Sequence, residues 1–264
     1  APYVAHPEFD ELLPLDGAPE ILPDGWQQEL LAAYGPVPPE DDADWSAALS
    51  KLGNERALYD QEIRFSDEHT GELLELLDAR GLSDSLLIAI VSDHGEGLWE
   101  HLSPAPKERL KTFAPKNLFF GGHGHDLSEQ ALRTPFILAG PGVPAGLRLD
   151  APVENVDLFP TMLALCDLPR PGDLHGVDLT PLLSGDVDAK DWRGESYAYI
   201  RQSACIRDEV AQLKLVVPTE YGARKGMRGP TLHHLALDPS ERRDLSSEQP
   251  EDTARLKQVR GSVP

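Results

Sequence analysis

The hydrophobic pattern begins with a long helical repeat and continues into a short, uninterrupted apolar run. Between residues 44 and 80, apolar side chains recur at close to 3.6-residue spacing with acids between them, at Leu58, Ile63, Phe65, Leu73, Leu74, Leu76 and Leu77. This spacing predicts one amphipathic helix, which Gly81 ends. The run Leu86–Val91 does not alternate, which is typical of a strand buried on both faces in a parallel sheet. The helix, the turn and the strand together predict one αβ unit.

Two further elements are predicted before residue 185. Residues Arg133–Ala139 predict a second strand, which ends at a Gly-Pro-Gly turn. Residues Leu158–Leu168 predict a helix, with Asp157 as its N-terminal cap. The segment before residue 44 is rich in proline and acid, so it predicts irregular surface structure with one short helix at residues 25–34.

From about residue 186 the pattern changes to short apolar segments separated by glycine, proline and charge. The segments Tyr197–Ile200, Leu213–Val217 and Leu232–Leu235 predict a small antiparallel sheet, and residues 250–260 predict a terminal helix. We therefore expect an α/β region in residues 1–185 and a small antiparallel α+β subdomain in residues 186–264.

The charge balance argues against two classes of partner. The chain has 24 Lys+Arg against 45 Asp+Glu, which gives a formal net charge of -21 at pH 7. A surface this acidic argues against nucleic acid and against anionic lipid, because both require basic surfaces. An anionic substrate would need locally concentrated positive charge, which a metal ion supplies compactly. No run approaches the ~20 apolar residues of a membrane helix.

The two cysteines, Cys166 and Cys205, say little about the compartment. Cys166 lies in the predicted helix Leu158–Leu168, where a buried thiol is the expected state. The sequence leaves the localisation open between cytoplasmic and periplasmic or secreted, and it leaves the oligomeric state open as well.

A candidate metal site follows the first predicted strand. Asp93 and His94 stand directly after it, next to Gly95, which permits a tight turn. A carboxylate beside an imidazole can bind one divalent cation, and ligands bind at the carboxyl ends of strands in open parallel sheets. The alternative is a loop aspartate beside a surface histidine. Glu96 is either a partner that orients His94, a cap for the next segment of the chain, or a solvated side chain.

A second candidate site is the glycine-rich segment Gly121–Asp126. It carries His123 and His125 two residues apart, and these can converge on an anion or a metal. Taken alone the pattern is weak, because glycine-histidine loops are often mobile surface.

In their order along the chain, these segments resemble the sulfatase branch of the alkaline-phosphatase-like superfamily. The resemblance covers approximately residues 1–250. Seven segments carry it: Ala1-Pro2-Tyr3, Tyr59-Asp60-Gln61-Glu62-Ile63, Ser92-Asp93-His94-Gly95-Glu96, Gly122-His123-Gly124-His125, Val156-Asp157-Leu158-Phe159-Pro160-Thr161, Leu174-His175-Gly176 and Leu237-Asp238-Pro239. Two departures are Ser128, where the family has tyrosine, and about twenty inserted residues from Leu102 to Gly121.

The resemblance implies a partial alkaline-phosphatase-like fold, with a mixed sheet flanked by helices in residues 1–185. It implies that Asp93 and His94 bind a divalent metal, usually calcium and sometimes manganese or zinc. It also implies that His125 or His123 contacts the substrate. The formylglycine nucleophile of such enzymes comes from a C/S-x-P-S-R motif, which this sequence lacks. We therefore expect the chain to be the C-terminal portion of a longer enzyme and to be inactive by itself.

The function implied for the parent is metal-dependent hydrolysis of sulfate esters of a small molecule or a carbohydrate. One alternative is a phosphonate monoester or phosphodiester hydrolase of the same superfamily, which shares the motif at residues 92–96. The other is a non-catalytic binding protein that retains the fold.

Overall fold

The computed structural model describes residues 3–12, 43–102, 119–124, 127–227 and 229–260. The chain divides into two compact units, Ala1–Ala79 with Glu96–His123, and Arg80–Gly95 with Gly124–Pro264. The division expected near residue 185 stays a prediction. The helix predicted at residues 25–34 and the side chain of His125 lie outside the described residues.

The first unit is built on the predicted long helix, α1, which runs over Ala43–Ala79. Gln61 on this helix is fully buried, and its side chain hydrogen-bonds residues at both ends of the segment from His6 to Asp10. Its carbonyl oxygen accepts from the His6 amide at 2.8 Å, and its amide donates to Asp10 at 2.9 Å. Several apolar positions that were expected to face a core are exposed instead: Ile63, Leu73, Leu74 and Leu76.

The first unit also contains a pair of strands that the sequence did not predict. Strand β2 covers Gly97–Leu102 and pairs antiparallel with β3, Phe119–Gly122. The register places Gly97 opposite Gly122. Short strands containing several glycines carry almost no period-2 signal, so the pattern indicates only a polar stretch here.

The second unit begins with strand β1, Ile88–Val91, and the direction of its pairing differs from the prediction. It pairs antiparallel with β4, Phe136–Ala139. A short helix, α2, covers Glu129–Leu132 and precedes β4 in the chain. Burial on both faces was also wrong, because Val91 is 38% exposed. An uninterrupted apolar run indicates a strand but does not specify the direction of its partner.

Two short helices follow, and two expectations fail around the first of them. Helix α3 covers Leu158–Leu165 and α4 covers Thr180–Leu183. Asp157 makes no side-chain cap to α3; its carboxylate instead forms a capping box with Glu154 in the preceding 3-10 turn. Cys166 is exposed rather than buried, because α3 ends at residue 165 and the chain then turns through Asp167 at φ 52°.

The predicted antiparallel sheet at the C-terminus is confirmed, with one strand more than expected. Its order is β5-β6-β7-β8, formed by Glu195–Tyr199, Ser203–Asp208, Leu213–Pro218 and Thr231–His234. Strand β6, which contains Cys205, was missed. A short helix α5, Glu220–Arg224, follows β7, and the predicted terminal helix α6 covers Pro250–Arg260.

The core of this sheet contains buried aliphatic side chains from three strands, the segment after β8 and the terminal helix: Ala204, Ile206, Leu213, Leu215, Val217, Leu232, Leu245 and Leu256. Burial of each Val, Leu or Ile side chain in this core contributes about 1.5–3 kcal/mol. Within the described ranges, no helix has both the length and the apolar character needed to cross a bilayer.

Candidate metal loop and histidine pair

The ring of His94 is held in one orientation by its own loop. Its Nδ1 lies 2.6 Å from the carbonyl oxygen of Gly95. Because a carbonyl can only accept, Nδ1 must carry the proton, and in the neutral ring Nε2 keeps its lone pair. This is the arrangement by which proteins fix the tautomer of a metal-binding histidine.

The carboxylate of Asp93 lies near Nε2 of His94. Its Oδ1 lies 3.7 Å from Nε2 of His94, and the Asp93 side chain is 88% exposed. Two donors at this separation can share one cation, since metal–ligand distances are about 2.0–2.6 Å. The residues therefore fit a divalent ion with mixed oxygen and nitrogen ligands, and they supply two of its ligands. Among the residues that the structure describes, no third acidic, histidine or cysteine side chain joins them to form a larger cluster.

The backbone of this loop is fixed from three directions. The Ser92 hydroxyl donates to the carbonyl of His94 at 2.7 Å, and the Asn155 amide donates to the carbonyl of Ser92 at 2.8 Å. The Gly95 amide donates to the carbonyl of Ala131 at 2.8 Å. Position 95 requires glycine, because a Cβ there would overlap the backbone carbonyl of Gln130.

A buried ion cluster supports the turn that carries Asn155. Asp157 is fully buried; it accepts from the amides of Glu154 and Val177 and from Arg193 at 2.8 to 2.9 Å. Arg193 also pairs with Glu154 at 2.6 Å. Burial raises the pKa of Glu154, although the Tyr197 amide and Arg193 act in the opposite direction. These contacts hold Asn155 against the end of β1.

His123 in the first unit contacts the carboxylate of Glu96. Its Nδ1 lies 3.1 Å from Oε2 of Glu96, whose side chain is only 8% exposed, whereas the His123 side chain is 43% exposed. The pKa values of Tyr3 and Tyr59 are raised, first by burial and then by the negative charge of Glu96. The contact that the structure describes for Glu96 is thus with the ring of His123.

The structure describes three of the four predicted site residues, Asp93, His94 and His123, and their roles stay predictions. The structure brings Asp93 and His94 together, and it gives His123 a carboxylate partner. At Gly124, the residue after His123, the backbone carbonyl accepts a hydrogen bond from the side-chain amide of Gln202 at 3.1 Å. No sequence signal pointed to Asn155, because an isolated asparagine in a turn has many structural roles.

The chain matches two family models. The Sulfatase model matches residues 23–168, and the model described as N-sulphoglucosamine sulphohydrolase, C-terminal, matches residues 125–249. Arylsulfatase K of Danio rerio is 27% identical over 203 residues, which cover 76% of this chain and 35% of the relative. The chain therefore spans about a third of the length of this curated relative.

Solved structures share the fold. A structure described as a complex with its substrate D-glucosamine-2-N,6-O-disulfate aligns with a TM-score of 0.65 at 23% identity, over 83% of this chain and 42% of that chain. The phosphonate monoester hydrolase of Agrobacterium radiobacter aligns with a TM-score of 0.61 at 24% identity, over 84% and 42%. These likenesses support the α/β fold of the alkaline-phosphatase-like type. Since the first family model covers more than half of the chain, the chain belongs to the sulfatase family.

Proposed function

We propose that the full-length protein hydrolyses sulfate esters and that this chain carries part of its catalytic machinery. Membership of the sulfatase family supports this proposal. The observation that carries it is the geometry of the loop after β1, where the anchored ring of His94 turns Nε2 toward the Asp93 carboxylate at 3.7 Å.

Asp93 and His94 would hold a divalent cation in this reaction. Such an ion, when bound, supplies Lewis-acid polarisation of the ester oxygens. Calcium is the ion that the family resemblance favours, and an imidazole ligand also suits manganese or zinc. Two ligands alone bind a metal weakly, so we expect further ligands elsewhere in the full-length protein. This chain fixes the positions of the two metal ligands. Asn155 and Gly95 contribute through hydrogen bonds of the loop backbone, to the carbonyl of Ser92 and to the carbonyl of Ala131.

A histidine of the glycine-rich segment, His123 or His125, serves the same reaction by contacting the substrate. A positioned histidine can donate a hydrogen bond or a proton to the leaving oxygen, which contributes about 10²–10⁴-fold. The nucleophile is not expected in this chain, because the sequence contains no formylglycine motif. We expect the isolated 264-residue chain to be inactive on sulfate esters.

A sulfated sugar is the substrate class that the comparisons favour. One structural neighbour is described as bound to D-glucosamine-2-N,6-O-disulfate, its substrate. A phosphonate monoester or phosphodiester is the second candidate, because a phosphonate monoester hydrolase shares the fold at a similar TM-score of 0.61.

The test compares initial rates of the full-length, metal-loaded protein on 4-nitrophenyl sulfate and on bis(4-nitrophenyl) phosphate. We expect the sulfate to be the better substrate. Asp93→Asn and His94→Ala should each lower both the rate and the bound metal content by at least ~10²-fold. His175→Ala, at an exposed histidine outside the loop, is the matched control and should change neither.

The outcomes separate the three hypotheses. Faster turnover of the phosphodiester would favour the second candidate. Failure of the wild-type protein to turn over either ester would favour a non-catalytic binding protein. Full activity of Asp93→Asn would contradict the assignment of the metal loop.

A further inference from the structure

The pairing of Glu96 with His123 is dictated by strand register. In the hairpin of β2 and β3, Gly97 lies opposite Gly122 and Leu98 lies opposite Gly121. One step further along the same antiparallel register, residue 96 lies opposite residue 123. The two side chains are 27 residues apart in sequence and meet whatever the length of the segment that joins the strands.

The carboxylate is placed where it can fix one nitrogen of the ring. Glu96 can only accept when it is ionised, so the 3.1 Å contact makes Nδ1 of His123 the donor. This contact uses Nδ1 and leaves Nε2 for other partners, and the His123 side chain is 43% exposed. Carboxylate–imidazole pairs of this kind select the tautomer and the ring orientation of catalytic histidines.

Tyr3 reinforces the position of the carboxylate. Its hydroxyl lies near the Glu96 carboxylate, and burial together with the Glu96 charge raises the pKa of Tyr3, so the phenol keeps its proton near neutral pH. The Tyr3 ring packs edge-on against Tyr59, with 5.3 Å between the centroids. The carboxylate thus contacts an imidazole and lies near a phenol.

The burial of Glu96 does not favour the stability of the fold. Its side chain is only 8% exposed, yet Oε1 has no hydrogen-bond partner among the residues that the structure describes. A buried charge with one oxygen unsatisfied costs folding free energy. Groups kept in this state are commonly functional, because their placement serves a site rather than the fold.

We propose that Glu96 is the positioning residue for His123, and that His123 is the histidine that contacts the ester oxygen. The proposal rests on the proposed function and assigns the role that the sequence left open between His123 and His125. Glu96 fixes the ring through Nδ1 so that Nε2 faces the substrate. Tyr3 supports Glu96 and does not itself touch the substrate.

The first experiment measures kcat and KM of the full-length protein on 4-nitrophenyl sulfate for Glu96→Gln, His123→Asn, His125→Asn and the double variant Glu96→Gln/His123→Asn. Glu96→Gln keeps the shape and removes the charge. We expect it to lower kcat by about 10²-fold, the usual effect of misplacing a catalytic group, while KM changes less than about threefold. The double variant should be no slower than His123→Asn alone, because both changes disable one unit. His125→Asn should lower kcat much less than His123→Asn.

Stability separates positioning from a structural role. Glu96→Met removes the buried charge, so the midpoint of urea unfolding should stay the same or rise while kcat falls. Parallel losses of stability and kcat would overturn the proposal. Independent, multiplicative effects of Glu96→Gln and His123→Asn would also overturn it, and so would a wild-type kcat in Glu96→Gln.

A second measurement does not depend on sulfatase activity. Long-range ¹H–¹⁵N spectra of the histidine rings of this chain, with His123 assigned through His123→Asn, report which nitrogen carries the proton. We expect the Nδ1–H tautomer in the wild type and a mixture dominated by Nε2–H in Glu96→Met. If His123 shows the same tautomer in both, Glu96 does not position it. If the tautomer shifts but the full-length protein cleaves no sulfate ester, the positioning stands and the proposed function fails.

Discussion

Lys214 on β7 places its ammonium 3.0 Å from a carboxylate oxygen of Glu129, which begins α2. The Lys214 side chain is fully buried, and a second carboxylate, Glu241, lies 2.8 Å away. Burial alone would lower the pKa of Lys214, but Glu241 and Glu129 outweigh it and raise the pKa. The C-terminal sheet is thus tied by a buried ion to the helix that supports the metal loop through Ala131 and Gly95.

Replacing Lys214 by Met should destabilise the chain by about 3–5 kcal/mol. The substitution fills the volume but removes the cation from the buried Glu241 and leaves Glu129 with Arg207 alone, which costs far more than the loss of a surface pair. Urea unfolding followed by circular dichroism measures the change. Lys190→Met is the matched control: its ion pair with Asp188 is solvent-exposed, so little or no change is expected. An equal loss of unfolding free energy in both variants would show that the buried ion pairs of Lys214 stabilise the fold no more than a surface pair does.

Gly95→Ala tests the close approach between the metal loop and α2. A Cβ at residue 95 would overlap the carbonyl of Gln130, so backbone must move, and we expect a loss of about 1–3 kcal/mol. The same movement displaces His94, so calorimetric titration of the full-length protein with Ca²⁺ or Mn²⁺ should show weaker binding.

The control for this prediction is Gly71→Ala in α1. A Cβ at residue 71 would meet nothing within 4 Å, and alanine is the better helix former. We expect Gly71→Ala to stabilise the chain by about 0.5–1 kcal/mol and to leave the metal affinity unchanged. Unchanged metal binding in Gly95→Ala would contradict the role given to the glycine.

The fold was predictable where one period continues for long enough. The apolar spacing of helix α1 recurs from Leu58 to Leu77, and the limits of the helix were predicted within one residue. Strands β2 and β3 are short and contain several glycines, so neither period 2 nor turn chemistry marks them. The direction of β1 failed for a different reason: its apolar run fixes the burial tendency, whereas the partner is chosen by tertiary contacts with β4.

At the site, the sequence indicated residue types but not their partners. Asp93 and His94 are adjacent, so a strand-end motif was sufficient to predict their proximity. Glu96 and His123 meet only through the register of a hairpin that the sequence did not reveal. The contact between Asn155 and Ser92 spans 63 residues, and no local pattern encodes a contact at that separation.

Asn155→Ala should weaken metal binding more than it weakens the fold. Its amide is exposed and makes one hydrogen bond to the carbonyl of Ser92, so the stability loss should be about 0.5–1.5 kcal/mol. Partners of this kind behind a metal loop typically change affinity by about 10–100-fold. Gln212→Ala removes a comparable amide-to-carbonyl bond, to Glu209, away from the loop, and should leave the affinity unchanged. Equal affinities in both variants would refute the prediction.

The buried imidazole of His233 on β8 is expected to make the stability of the fold depend on pH. Burial lowers its pKa below the ordinary value, although Glu241 and Asp244 act in the opposite direction and Lys214 acts with burial. Its Nδ1 has no hydrogen-bond partner within the described ranges. Protonation of the folded state would therefore add a buried, unpartnered donor to the ring.

The free energy of unfolding should fall on acidification because of His233. The folded-state pKa lies below the unfolded value of about 6.5, so the stabilisation is complete above pH ~6.5 and is lost as the pH falls toward the folded-state pKa. The slope in that range is at most one proton, ~1.4 kcal/mol per pH unit. Asp244 acts at lower pH: burial alone would raise its pKa, but the amides of Leu232 and Ser246 lower it.

The test is urea unfolding between about pH 4.5 and 7.5, the range in which histidine titrates. The free energy of unfolding should decline toward low pH in the wild type and follow a flatter curve in His233→Gln. His175→Gln is the control for an exposed histidine and should retain the wild-type slope. Identical slopes in all three proteins would mean that His233 does not control the acid sensitivity.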